Sequence, residues 1–422
     1  CYVQQVLRII SIVQYSAVHM SYERRYFTRR GNMFFKERKG ALPAYIVTLI
    51  ICTALMFIMN TLQDSIASNH YIDSLDEIIA GKNAGDVWSE IQWLIGEIPE
   101  GQVMRTWVCG VVMIIFTFIG YFFERTNSRF RGTDLVGGSG YFIPMLLVST
   151  GAMLLANLVY HRATMNGWAA TFISFCSLAP LLFTIYGGGA KKIATEMILG
   201  GLAPAGFGAY IAMPYIVKPL GLPAFVSAAI GMAVTVPLCV LLCRHLPWMT
   251  PIDMSIYKSS PADNRSFSDS RLYVRRLLAD PSELIFLGSS WGTVGMYIGA
   301  VLAWWLDPLA NSCAAYKFPT VMCCQLITVA TSIFLWFPKV KRGESAFTFS
   351  GFVIISAFIN TYEMSVPLMI ISILVAAVFT PLTAMKLYEK TKLRSLPPCC
   401  STLTSFCIVC ISWSLVLRAV TM

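Results

Sequence analysis

The chain is 422 residues long, 56% apolar and only 13% charged, with a mean hydropathy of +0.64. A water-soluble protein of this size needs far more surface charge, so the composition excludes a soluble enzyme and predicts an all-α, polytopic transmembrane helical bundle. The net charge of +10 does not argue for a nucleic-acid partner. The basic residues stand in short clusters between apolar runs of about 20 residues, the length that crosses a hydrocarbon core about 30 Å thick.

Residues 1–40 carry Arg24, Arg25, Arg29, Arg30, Lys36, Arg38 and Lys39. They read as a basic cytoplasmic or interfacial segment, without the charged-start, apolar-core, small-residue order of a cleavable signal. Spans are predicted near 42–60, 104–123, 141–159, 168–186, 197–215, 222–243, 284–305, 319–337, 346–362, 365–385 and 399–417, about ten or eleven in all. Six of these form a first membrane group over 41–243 and about five form a second over 284–422, joined by a basic cytoplasmic connector at 244–283. Between the first two spans lies an acidic outer loop, 61–103, with Asp64, Asp73, Asp76, Glu77, Asp86, Glu90, Glu97 and Glu100. Its stretch from Asp86 to Ile98, bearing Trp88, Trp93 and Leu94, reads as an amphipathic helix lying on the outer face as a lid. With the N-terminus in the cytoplasm, 26 of the 32 Lys and Arg fall on the cytoplasmic side. The opposite side keeps Lys82, Arg105, Arg162, Lys218, Lys317 and Arg418, which is the asymmetry that orients membrane proteins.

Glycine is the most informative local signal. Gly137, Gly138 and Gly140 precede the third span, Gly187 to Gly189 follow the fourth, and Gly200, Gly201, Gly206 and Gly208 interrupt the fifth together with Pro204. Two readings compete: close packing of spans through small residues, as in Gly288-x-x-x-Gly292 and Gly295-x-x-x-Gly299, or a discontinuous helix near Pro204 that lines a substrate site. Leu199-Gly200 followed by Gly208, Tyr210 and Ile211 also resembles Leu287-Gly288 followed by Gly295, Tyr297 and Ile298, as a parallel hairpin duplication would.

Polar residues in hydrocarbon are costly, which makes Asn157, Glu196, Gln325, Asn360 and Glu363 candidates. Glu196 reads as an interfacial partner of Lys191 and Lys192, and Glu363 as a turn residue, so no carboxylate is predicted in mid-membrane. Gly288-Ser289-Ser290-Trp291-Gly292 matches the nucleophile-elbow pattern but lies in an apolar span, where the strand-turn-helix context is missing. Gly137-Gly138-Ser139-Gly140 with His245 would be a four-residue match to a membrane serine protease, too short to carry that reading. There is no phosphate-loop and no H-E-x-x-H motif, the four histidines are scattered, and Cys407-x-x-Cys410 lacks a second ligand pair. Most of the thirteen cysteines sit in apolar runs as packing residues, with Cys313 in a predicted outer loop.

The expectation is therefore a secondary transporter or permease of the cytoplasmic membrane, with membrane lipids and a small solute as partners and no cofactor or metal. Its substrate region is placed at Gly200, Gly201, Pro204, Gly206, Gly208 and Tyr210, with Asn157, Gln325 and Asn360 as polar contacts. A membrane-embedded enzyme acting on a lipid or lipid-linked substrate, and a non-catalytic subunit of a membrane complex, are the alternatives. A homo-oligomer is compatible with all three.

Overall fold

The computed structural model describes residues 36–73, 77, 86–132, 142–160, 163–164, 167–252, 267–311, 317–342, 347–390 and 396–421. The basic segment to residue 35, Gly137 to Gly140 and their Ser139, Arg162 and Cys313 lie outside them. The first helix, α1 (Leu42–Gln63), shows why the bundle needs lipid. It is apolar all round, starts on a proline, and leaves Ile46, Val47, Ile50, Ile51, Phe57 and Ile58 exposed. In water such a surface would drive aggregation, whereas in a bilayer it is the solvated face.

After α1 come α2 (Val87–Glu97), a 3-10 turn (Ile98–Gln102), α3 (Trp107–Arg125) and α4 (Phe142–Tyr160). A two-residue antiparallel ladder, Ala163–Thr164 with Gly167–Trp168, leads to α5 (Ile173–Cys176) and α6 (Leu178–Tyr186). The chain continues through α7 (Ala190–Phe207), a π-helical stretch (Gly208–Val217), α8 (Lys218–Leu220) and α9 (Phe225–Cys243). The second half holds α10 (Asp269–Glu283), α11 (Ser290–Leu306), α12 (Phe318–Lys341), a 3-10 turn (Thr348–Gly351), α13 (Phe352–Thr361), α14 (Val366–Lys390) and α15 (Pro398–Thr421). Among the described residues, eight helical runs are long and apolar enough to cross a membrane: α1, α3, α4, α7 through α8, α9, α12, α14 and α15.

Three of the eleven predicted spans are shorter helices. The segment at 168–186 breaks at Ser177, where φ −130° and ψ −95° interrupt the helix just before Pro180. The segment at 346–362 begins as a 3-10 turn, and that at 284–305 becomes helical only at Ser290. The helices of 168–186 and 346–362 are largely buried between longer neighbours, so a full membrane length is not imposed on them, whereas α11 is buried on one face only and leaves Ile298, Leu302 and Trp305 exposed.

The glycines of the second half pack helices together. An added Cβ at Gly292 would lie 2.6 Å from Thr117 Oγ1, one at Gly299 2.8 Å from Cys109 Cα, and one at Gly295 would strike Phe116. These contacts run in opposite directions along the two chains, so α3 and α11 are antiparallel along a seam of small residues. The fifth span is likewise close-packed and is continuous through Pro204. Gly200 faces Ala179, Gly201 faces the Ala152 carbonyl, Gly206 faces the Tyr160 ring and Gly208 faces the Ser227 carbonyl. The change in winding comes only at Gly208, where the helix widens to π geometry around Pro214, which has no N–H to give to a tighter ladder.

Two segments enter the bundle without crossing it. The helix predicted from Asp86 to Ile98 is present as α2, capped by the Asp86 carboxylate on Ser89 N at 3.0 Å. The turn that follows it runs inward, with Ile98, Pro99, Glu100, Gly101 and Gln102 all buried. The connector behaves similarly: α10 enters beside the far end of α12, with Asp269 on Lys341 at 2.8 Å and Tyr273 Oη donating to Ala330 O at 2.9 Å, and its last turn is buried. The two tips meet where Gln102 Nε2 donates to Pro281 O at 3.2 Å.

The two entering segments share a plan. Each is an amphipathic helix followed by a buried turn with a left-handed, non-glycine residue, Val103 (φ 60°) or Phe286 (φ 61°). Each turn leads to a hydroxyl cap, Thr106 accepting from Cys109 N or Ser289 accepting from Gly292 N, and then to α3 or α11. Since α3 and α11 are antiparallel, the two units are inverted relative to each other. The resemblance of Leu199-Gly200 to Leu287-Gly288 does not extend to conformation: Gly200 is mid-helix, while Gly288 (φ 55°) is in the turn.

Candidate functional site

The richest polar chemistry in the interior lies at the tip of the first entering segment. Thr106 must cap α3 in an extended conformation, and Val103 turns the chain back on itself. Together they hold Arg105, 3% exposed, among residues 93–102. Its guanidinium pairs with Glu100, lies 3.8 Å from Glu97 Oε1, and sits 3.6 Å above the Trp93 ring. A buried arginine is tolerable only with such a set of partners, here two carboxylates and an aromatic face.

Glu97 is held from the other side. Asn157 Nδ2 donates to Glu97 Oε2 at 2.6 Å, Thr171 donates to Oε1, and Trp93 Nε1 donates to Asn157 Oδ1 at 2.9 Å. Asn157 also donates to Met153 O at 2.9 Å, which fixes the orientation of its amide. Burial pushes both carboxyls up, Glu100 to about 7, while the Arg105 charge pulls them down. Two carboxyls thus face one guanidinium and compete for its charge.

The network continues to α12. Gln325 Nε2 donates to Gln102 O at 2.7 Å and to Ser356. Gln325 is seven residues from the start of α12, about 10 Å along its axis. The amide oxygens Gln102 Oε1 and Gln325 Oε1 are buried and have no hydrogen-bond partner among the described residues. Such oxygens are stabilised by a donor brought to them.

The second tip is also charged. Arg276 pairs with Asp280 at 2.5 Å and with Glu283 at 2.6 Å, and Thr348 donates to Asp280 at 2.5 Å. Burial pushes Asp280 up against the pull of Arg276. Ser289, the central residue of the supposed nucleophile elbow, caps α11, and its backbone N–H donates to Ser282 Oγ at 2.8 Å.

At one end of the bundle a cleft of about 450 Å³ is lined by His70, Asp73, Asp86, Trp88, Ser89, Gln92 and Trp107 among others. His70 there is 2.6 Å from Asp307 and 3.4 Å from Glu77.

Of the residues expected to form a site, Asn157 and Gln325 belong to this polar network. Gly200, Gly201, Pro204, Gly206 and Gly208 lie at helix contacts along α7 and the π stretch. Tyr210 is 45% exposed beside Tyr160, with ring centroids 5.8 Å apart. Asn360 is half-buried in the last turn of α13, and Glu363 is exposed in the following turn, as expected.

From sequence, Glu97 falls at the end of the amphipathic helix, Glu100 and Gln102 in the outer loop, and Arg105 at the outer end of the second span, with none of them expected in a site. The overlooked signal is the Ile98-Pro99-Glu100-Gly101-Gln102 run, which has apolar segments on both sides and no solubilising stretch of its own.

These features define an all-α integral membrane protein with a charged interior. Comparison with protein-family models, curated proteins and solved structures finds no match to the chain.

Proposed function

We propose that the chain is a secondary transporter or permease of the cytoplasmic membrane, and that its solute passes the Glu97–Arg105–Glu100 cluster where the two entering segments meet. The observation that carries this reading is a set of ionisable side chains buried on a segment that enters the bundle without crossing it. Intramembrane charge is expensive and is kept where ions or solutes move, and non-helical backbone at that depth needs a cavity or protein around it. Paired inverted units whose buried tips meet suit alternating access. Acceptors predominate, through two carboxyls and two donorless amide oxygens, so the solute is a small hydrogen-bond donor, neutral or cationic. In this reading all eleven apolar segments cross the membrane, and the basic ends of α3, α12 and α14 face the cytoplasm.

The test is a solute-uptake screen with the full chain in proteoliposomes, comparing wild type with Arg105→Gln and Glu100→Gln. Uptake of a small amine or polyol that both substitutions abolish supports the reading. Uptake unaffected by either removes the cluster from the pathway. Enzyme fusions after residues 160 and 243 test the orientation, since only the first should report the outer side.

A membrane-embedded enzyme would instead use the cleft beside Asp86. Asp86 already serves as the α2 cap, a role asparagine fills equally well. Asp86→Asn should therefore leave transport intact, and loss of all activity in that variant would favour the enzyme.

A further inference from the structure

Glu196 is used by none of the chemistry above. It is the seventh residue of α7, about 9 Å from the helix start, with no exposed surface. Neither carboxyl oxygen has a hydrogen-bond partner among the described residues. The expected ion pair with a neighbouring lysine is not formed. Lys192, one helical turn earlier on the same face, donates instead to Tyr186 O and Thr250 O, both at 2.8 Å.

The groups around Glu196 give an ionised carboxylate no donor. Lys192 on α7 itself and Cys243 at the end of α9 lie within electrostatic reach of Glu196, Cys239 and Tyr186 stand beside Cys243, Arg244 stands beside Tyr186, and Thr195 is held by Trp248 Nε1 at 3.1 Å. A carboxylate without donors in apolar packing is among the costliest buried groups.

The lysine gives the charge of Glu196 a mechanical consequence. By holding Tyr186 O and Thr250 O, Lys192 ties the end of α6 to the chain after α9. Beside this tie the turn Gly187-Gly188-Gly189 joins α6 to α7, and in it Gly187 (φ 69°) and Gly189 (φ 126°) adopt conformations that only glycine accepts readily.

We propose that Glu196 is a proton-binding site and Lys192 its movable counter-ion. When the carboxyl releases its proton to water at the Lys192 end, the ammonium swings one turn to the new carboxylate and leaves both carbonyls, which loosens the glycine turn while the Ile252 N–H still donates to Ile185 O at 3.0 Å. Resting on the transport reading, the site supplies the coupling proton, and the α6–α7 turn is the element it controls.

The test needs no solute. Infrared difference spectra of the full chain in lipid nanodiscs are titrated with pH for wild type, Glu196→Gln, Glu196→Asp and Lys192→Gln. The expected result is a protonated-carboxyl band at neutral pH that bleaches on alkalinisation, is missing in Glu196→Gln, moves in frequency in Glu196→Asp and persists to higher pH in Lys192→Gln. If Glu196→Gln does not fold, the shift in Glu196→Asp assigns the band. Absence of any band assignable to Glu196, or a band that no pH bleaches and Lys192→Gln does not alter, overturns the proposal. A bleaching band alongside failed uptake would sink the transport reading alone, and uptake without the band would sink the proton site alone.

Discussion

Replacing Arg105 by glutamine removes the only positive charge that the described residues place beside Glu97 and Glu100. Breaking a buried ion pair from one side costs about 3–5 kcal/mol when the remaining charge stays ionised. Here the cost depends on pH. In wild type, burial already raises Glu100 to about 7 in the folded state, against about 4.3 for a free glutamate. A carboxyl raised on folding binds more protons in the native state. Its contribution to stability is thus complete below the unfolded value and is lost as pH rises towards the folded one. Without Arg105 both carboxyls are raised further and that loss extends to higher pH.

The variant should therefore be close to wild type at pH 5 and lag it by roughly 3 kcal/mol or more at pH 8. Glu97 is cushioned by Asn157 and Thr171, so Glu100 carries most of the change. Thermal unfolding read with a thiol-reactive dye suits the protein, whose described cysteines are free and mostly buried. Equal destabilisation at both pH values, or none at either, would refute the charge argument.

Asn157→Leu removes the donor to Glu97 Oε2 and the acceptor of Trp93 Nε1, and should cost about 2–4 kcal/mol by the same dye assay, since each stranded buried group costs about 1–3 kcal/mol. Gly295→Leu meets Phe116 across the α3–α11 seam, so the folded yield after detergent extraction, read by size-exclusion chromatography, should collapse. Ser289→Ala loses the α11 cap and should lower stability by about 1 kcal/mol, whereas Ser289→Thr should restore most of it.

The membrane class and the apolar segments were legible in the sequence because length and hydropathy act locally: α1, α3, α4, α9, α12, α14 and α15 lie where their runs of apolar residues predict. The amphipathic α2 was legible for the same reason, the spacing of buried Ser89, Trp93 and Gly96 against exposed Trp88, Glu90 and Ile91 being a local pattern. The interior course of residues 98–102 was not, because burial of Glu97 and Glu100 depends on Arg105, Asn157 and Thr171, partners supplied by other parts of the chain. The fifth span misled for a related reason. Glycines at a helix break and glycines at a helix contact look alike until the neighbour, here Ala179, Ala152 or Ser227, is known. Glu196 was paired with the lysines beside it because sequence shows proximity along the chain and not that Lys192 is engaged with Tyr186 and Thr250.

The meeting of Gln102 with Pro281 also bears on the membrane potential. In the proposed transport reading, water entering beside each segment would thin the insulating layer to the stretch between Glu100 and Asp280, and the voltage would fall across that stretch. Moving one elementary charge through 100 mV is worth about 2.3 kcal/mol. A proton shifted over a few ångströms at this junction then does electrical work that elsewhere requires a passage through the whole membrane.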